Sequence, residues 1–181
     1  MWETTKKAAP VSINFMLTYS INIVSLYFIG NQNEPDLLAG IGLGFCLINI
    51  LALGVGIGFV DSSSALISQS YGSGMLEECG VYFMRTKLVV TVFMMFCAIL
   101  FFNIEPLLVL MGQEPHIAAI TTEVCCWLML GTWALSMFEA DVRFLSCQLN
   151  VLAPLAVLLV MVPLHALLSY ILIDYNGLGQ Q

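Results

Sequence analysis

The chain has 181 residues, 60% hydrophobic and 9% charged, with a formal net charge of −7 and a mean hydropathy of +0.94. A soluble domain carries about 25% charged residues, so a water-soluble globule is excluded and an all-α polytopic membrane protein is expected. The lipid bilayer is the first partner, and the acidic balance gives no reason to expect nucleic acid.

A helix crossing about 30 Å of hydrocarbon needs about 20 residues. Five windows meet that length, at 8–29, 37–60, 81–102, 117–138 and 151–173, within one helical domain over 1–181. No β-barrel alternation is visible. The first apolar run is too long for a signal peptide and no small-residue cleavage site follows it. In the first window Pro10 stands at the start, where its missing N–H costs little. Asn14, Thr18, Asn22 and Ser25 follow at spacings of four, four and three, which places them along one side of a helix. Such a stripe either holds helices together or walls a hydrated path.

The second window carries Gly40, Gly42, Gly44, Gly54, Gly56 and Gly58. Gly40 and Gly44 have the small-x-x-x-small spacing that lets helix backbones approach, and the later glycines suit packing and bending. "SQSYGSGMLEE" then breaks the hydrocarbon before the third window, whose Arg85 and Lys87 can snorkel to the interface. In the fourth window Glu123 lies beside Thr121 and Thr122. An intramembrane carboxylate is costly and therefore a functional candidate. Glu139, Asp141 and Arg143 form an interfacial charge group after this window, with Asp61 near the end of the second. His165 stands two residues after Pro163 in the fifth window, where it either titrates or bonds a neighbouring helix.

The six cysteines are expected to pack as small apolar residues. No nucleophile, metal-ligand or phosphate-loop pattern appears, so no enzyme activity, catalytic residue, cofactor or metal is expected. Lys6, Lys7, Arg85, Lys87 and Arg143 all fall on one side of a five-span topology, opposite Glu34, Asp36, Glu105, Glu114 and Asp174. The positive-inside rule makes the N-terminus cytoplasmic and puts the C-terminus on the opposite side of a plasma or organellar membrane.

In motif order the chain resembles the multidrug and toxic compound extrusion (MATE) transporters. Their G-Q-A-x-G-A-G segment corresponds to Ser68–Gly74, and their following Gly and Arg to Gly80 and Arg85. Their Leu-Ala is Leu38–Ala39, and their G-Q-x-P is Gly112 to Pro115. Their L-Q-x-Q…P runs from Leu145 through Gln148 to Pro154, and their fifth-span His is His165. The resemblance makes the polar stretch a cytoplasmic elbow, turned at Gly72 and Gly74 with Gln69 and Tyr71 bonding the helix ends. Departures are Ser64 and Ser25, where many relatives have acidic residues, and Gly131–Thr132 where many have Pro. These departures lean toward a eukaryotic-type member.

The resemblance implies the first five spans of a twelve-span antiporter whose two lobes bind substrate between them. Its substrates would be organic cations, drugs or metabolites, exchanged for protons or sodium. Its partners would include a missing second lobe or other membrane subunits. Two alternatives are a non-transporting structural subunit and a lipid-carrier flippase of the same superfamily. The pathway candidates are Asn14, Thr18, Asn22, Ser25, Glu123 and His165.

The charge asymmetry predicts a labelling pattern. In a cysteine-less background, a cysteine at Glu114 should react with an impermeant maleimide from outside, and one at Gly74 only from inside. The reverse pattern would overturn the orientation.

Overall fold

A computed structural model describes residues 12–14, 16–25, 27 and 35–171. In chain order its helices are α1 (the described helical residues between 12 and 27), α2 (Pro35–Leu47), a π-helical segment (Ile48–Gly54), α3 (Val55–Gly72), α4 (Leu76–Phe102), α5 (Glu105–Leu110), α6 (Pro115–Cys147) and α7 (Leu152–Ser169). No strand occurs among the described residues. The chain forms two units, Pro35–Gln148 and the pair of segments Met1–Glu34 with Leu149–Gln181. Among the described residues four helices are long and apolar enough to cross a membrane: Pro35–Gly72, Leu76–Phe102, Pro115–Cys147 and Leu152–Ser169. The expected windows from 37 onward each overlap one of them, and the windows at 8–29 and 151–173 lie partly outside the described residues.

Three of these long helices overshoot the expected windows. Pro35–Gly72 has 38 residues, about 57 Å at 1.5 Å per residue, against a hydrocarbon core of about 30 Å. Its polar end continues past Val60 because no breaker intervenes. Ser62 and Ser63 donate to the Phe59 carbonyl at 2.8 and 3.1 Å, and Ser64 to that of Asp61 at 2.7 Å. These hydroxyls are thus satisfied inside the helix and do not divert its backbone. Likewise α6 runs on through "EADVRFLSC" to Cys147, past the window that ends at 138 and through the charge group expected at the interface. The stretch between the third and fourth windows contains α5, which has Pro106 in its first turn and buries Leu108.

Two glycines end helices by the same device. After α3, Gly74 takes φ +80°, its N–H bonds Tyr71 O at 3.1 Å, and Met75 N–H bonds Ser70 O at 3.0 Å. After α5, Gly112 takes φ +92°, with Gly112 N–H on Val109 O and Gln113 N–H on Leu108 O, both at 3.0 Å. Both are Schellman caps, which need a left-handed residue one position past the C-cap, here Ser73 and Met111. Gly72 is the last residue of α3 and not the turning residue. Gln69 and Tyr71 serve the turn through their backbone carbonyls, which accept from Ser73 N–H at 3.0 Å and Gly74 N–H, rather than through their side chains.

The core of the larger unit lies where α2, α3 and α4 meet α6. At Gly40, an added Cβ would stand 2.6 Å from Ile120 Cγ2 and 2.9 Å from Ile120 Cβ; at Gly44 it would stand 3.2 Å from Val124 Cγ1. That closeness lets the buried Thr121 Oγ1 donate to the Gly40 carbonyl at 3.1 Å, while also lying 2.8 Å from its own Ile117 carbonyl. Gly56 admits the Met94 Cε, 2.9 Å from its added Cβ, between α3 and α4. By contrast Gly42 and Gly58 have nothing within 4 Å.

Gly40→Ala is therefore expected to destabilise the detergent-solubilised chain by about 1–3 kcal/mol, the usual range for overpacking. Gly42→Ala should be neutral or stabilising by up to about 1 kcal/mol from helix propensity alone. Thermal unfolding followed by circular dichroism separates them; equal effects would refute the close-packing account.

Candidate functional site

In the smaller unit, α1 presents the polar stripe. At about 100° per residue, two steps of four rotate the position by about 80°. Asn22 lies farthest round and is exposed, whereas Asn14 is buried and Thr18 and Ser25 are half-buried. Thr18 Oγ1 donates to Asn14 O at 3.0 Å. The Asn14 side chain is 6% exposed, and among the described residues its Oδ1 has no hydrogen-bond partner. A buried amide oxygen without a donor is costly, which marks Asn14 as a place for a donor to arrive.

Ser25 is joined to His165. Ser25 Oγ lies 3.0 Å from His165 Nε2 and 3.1 Å from the Ile21 carbonyl. A hydroxyl has one proton. One assignment satisfies both contacts: Ser25 O–H donates to Ile21 O, and His165 Nε2–H donates to Ser25 Oγ. The imidazole Nδ1 then keeps its lone pair. Pro163, inside α7 and two residues before His165, lacks the N–H that would bond the Leu159 carbonyl. Ser25 and His165 are the only pair of the expected pathway residues joined side chain to side chain by a hydrogen bond among the described residues.

In the larger unit Glu123 takes an exposed position on α6, on the same side as the exposed Trp127 and Leu130. Its neighbour Thr121 is the residue turned into the core. The charged residues near the α3–α4 turn form two ion pairs. Lys87 Nζ lies 2.7 Å from Asp141 Oδ1 and 4.6 Å from the Phe83 ring centroid, and Phe83 stacks on Phe144. Arg143 Nε lies 3.0 Å from Asp61 Oδ1. Asp61 and Lys87 are thus tied to the end of α6 and do not simply reach for water. Arg85, two residues from Lys87, is exposed and has no such partner among the described residues.

Two features escape sequence inspection. Asn49, in the π-helical segment, is exposed at mid-helix and donates to Phe45 O at 2.7 Å; its one signal is an Asn within an unbroken apolar run. A cavity of about 320 Å³ between α4 and α6 is lined by Met94, Met95, Met129, Phe102 and Trp133. Trp133 Nε1 donates to Thr91 Oγ1 at 3.3 Å beside it. Only the α4–α6 pairing brings those residues together.

A family model described as MatE matches residues 10–171. The chain is 31% identical over 146 residues to Multidrug and toxin extrusion protein 1 of Danio rerio, covering 81% of this chain and 25% of that protein. It is 27% identical over 151 residues to Protein DETOXIFICATION 34 of Arabidopsis thaliana, covering 83% and 27%. Against Multidrug and toxin extrusion protein 2 of Homo sapiens it is 28% identical over 148 residues, covering 82% and 24%. The chain therefore spans about a quarter of the length of these curated relatives.

The Ser25–His165 contact makes a measurable prediction. A double-mutant cycle with Ser25→Ala and His165→Ala should give a coupling of about 0.6 kcal/mol, with about 1.7 as the upper end for interhelical polar pairs. Ser25→Ala should also move the His165 Nε2 nitrogen resonance while leaving Nδ1 nearly unchanged. Zero coupling with an unmoved resonance would remove the pair.

Proposed function

The chain belongs to the MatE family, and from that premise we propose that it supplies one part of a secondary active antiporter. The antiporter exports organic cations, drugs or metabolites in exchange for protons, with sodium as the alternative coupling ion. Its basic side faces the cytoplasm. What supports the reading is the Ser25–His165 contact, at 3.0 Å, within the α1–α7 pair.

Exchange requires that the exported cation and the coupling ion exclude one another. Imidazole changes charge near neutral pH. With Nε2–H held by Ser25 Oγ, a proton arriving at Nδ1 creates a fixed positive charge beside the α1 stripe. That charge repels an organic cation, and a bound cation raises the cost of protonation by the same amount, because coupling between two binding events is reciprocal. Asn14 Oδ1, Thr18 and Asn22 provide polar groups along the same helix for the hydrated or partly desolvated substrate. Ser25 stands where many relatives carry an acid, so in this chain the titrating role passes to His165. Alternating access comes from movement of two repeats against each other, which calls for more helices than these.

The test is transport by a chimaera in which this chain replaces the matching segment of the Danio rerio relative, reconstituted in proteoliposomes. An imposed pH gradient should drive efflux of an organic cation. His165→Gln keeps an N–H for Ser25 but cannot titrate, and should lower that efflux at least tenfold at unchanged abundance. Asn22→Leu should lower transport without loss of thermal stability. The 181-residue chain alone should give no gradient-driven efflux. Undiminished proton-driven exchange in His165→Gln would sink the coupling assignment, and activity driven only by sodium would replace it.

A further inference from the structure

A cavity of about 340 Å³ opens between α3 and α4. Its polar wall is Arg85, Tyr82, Ser62 and Ser63, and its apolar wall includes Phe59 and Leu66. We propose that this groove binds the headgroup and upper acyl segment of an anionic glycerophospholipid, with the phosphate on Arg85.

Charge makes the first argument. The neighbouring cations are matched, Lys87 by Asp141 and Arg143 by Asp61, at 2.7 and 3.0 Å. Arg85 is the described cation of this region without a carboxylate, and it stands at the cavity. A guanidinium offers a planar fork of donors that matches phosphate oxygens. The same positive charge makes the groove unsuitable for an organic cation, so it is distinct from the proposed export path.

Hydrogen-bond direction makes the second. Ser62 and Ser63 already spend their protons on Phe59 O, at 2.8 and 3.1 Å, and Thr86 spends its own on Tyr82 O at 2.8 Å. The serine oxygens are left as acceptors, while Arg85 and the Tyr82 hydroxyl are donors. The complementary headgroup carries an acceptor phosphate and its own hydroxyl or ammonium donors. A glycerol headgroup satisfies both, whereas a choline headgroup has no donor and no net charge. Phe59, Leu66 and Val89 are 38%, 46% and 45% exposed, and they provide an apolar flank for a chain entering from the bilayer. On the proposed orientation the lipid belongs to the cytoplasmic leaflet; the binding itself does not depend on that orientation or on transport.

The experiment is native mass spectrometry of the full chain in a neutral detergent with added phosphatidylglycerol or phosphatidylcholine. One phosphatidylglycerol should be retained per chain, and phosphatidylcholine should be released at the same collision energy. Arg85→Gln should weaken phosphatidylglycerol retention at least fivefold, and Arg85→Lys less. Ser62→Leu, which fills the groove without touching the charge, should weaken it similarly and serves if Arg85→Gln does not fold. Millimolar glycerol 1-phosphate should not compete. Equal retention of both lipids, retention unchanged in Arg85→Gln and Ser62→Leu, or full displacement by glycerol 1-phosphate would each overturn the proposal.

Discussion

Everything in the larger unit is referred to one backbone approach, that of α2 to α6 at Gly40 and Gly44. In hydrocarbon, lipid tails compete with side chains for apolar contact, so helices gain little from burying leucine against leucine. What lipid cannot reproduce is a backbone surface close enough for packing and for a hydroxyl to reach across it. Thr121 makes that reach, to the Gly40 carbonyl, and Cys125 Sγ lies 3.8 Å from the Gly44 carbonyl one turn on. Substituents of ordinary size at the two glycines would separate the helices and leave a wholly buried hydroxyl with only its own helix for a partner.

With α6 fixed against α2, its other end is placed to gather charge. Asp141 and Arg143 meet Lys87 of α4 and Asp61 of α3, tying three helices at one level. Exposed pairs of this kind contribute about 0–1 kcal/mol each, so they set register more than they stabilise. Their effect is selective. By neutralising two cations and leaving Arg85 unmatched, they decide where along the α3–α4 face an anion is welcome. The cap at Gly74 serves the same end, because it reverses the chain tightly enough to bring Ser62 of α3 opposite Arg85 of α4 across the cavity.

Features carried by local spacing were legible in the sequence. The Gly40–Gly44 interval, the helical windows and the alignment of Asn14, Thr18 and Ser25 all follow from a period of about 3.6 residues. Features set by a partner were not. Asn22 belongs to the stripe by spacing, yet rotation carries it to the exposed edge. Glu123 and Thr121 differ by two positions, about 200° round the helix, and only the identity of the neighbour decides that Thr121 is the one inside. The Asp61–Arg143 and Lys87–Asp141 pairs join residues far apart in the chain, for which no periodicity exists. The left-handed residues were half legible: Gly74 and Gly112 announce themselves, whereas Leu149, at φ +62° directly after α6, does not. A branched residue there accepts a conformation that costs about 1–2 kcal/mol.

The π-helical segment Ile48–Gly54 bears on which insertions and deletions a lineage can carry. Its i→i+5 bonds accommodate one residue more than an α-helical turn would. Loss of a single codon within it would restore an ordinary α-helix and leave hydropathy and span length nearly untouched. Because the wider turns absorb the extra residue, Gly40 and Gly44 would keep facing α6, whereas loss of one residue from the regular α-helix at Phe45–Leu47 would turn everything upstream by about 100° and bring Ala39 and Leu43 to the places of Gly40 and Gly44. Leu43 would then stand against Val124, where even one added carbon has 3.2 Å. The π-helical segment is therefore the place where this span tolerates a one-residue loss, while the same loss in the α-helix beside it would need a matching change on α6.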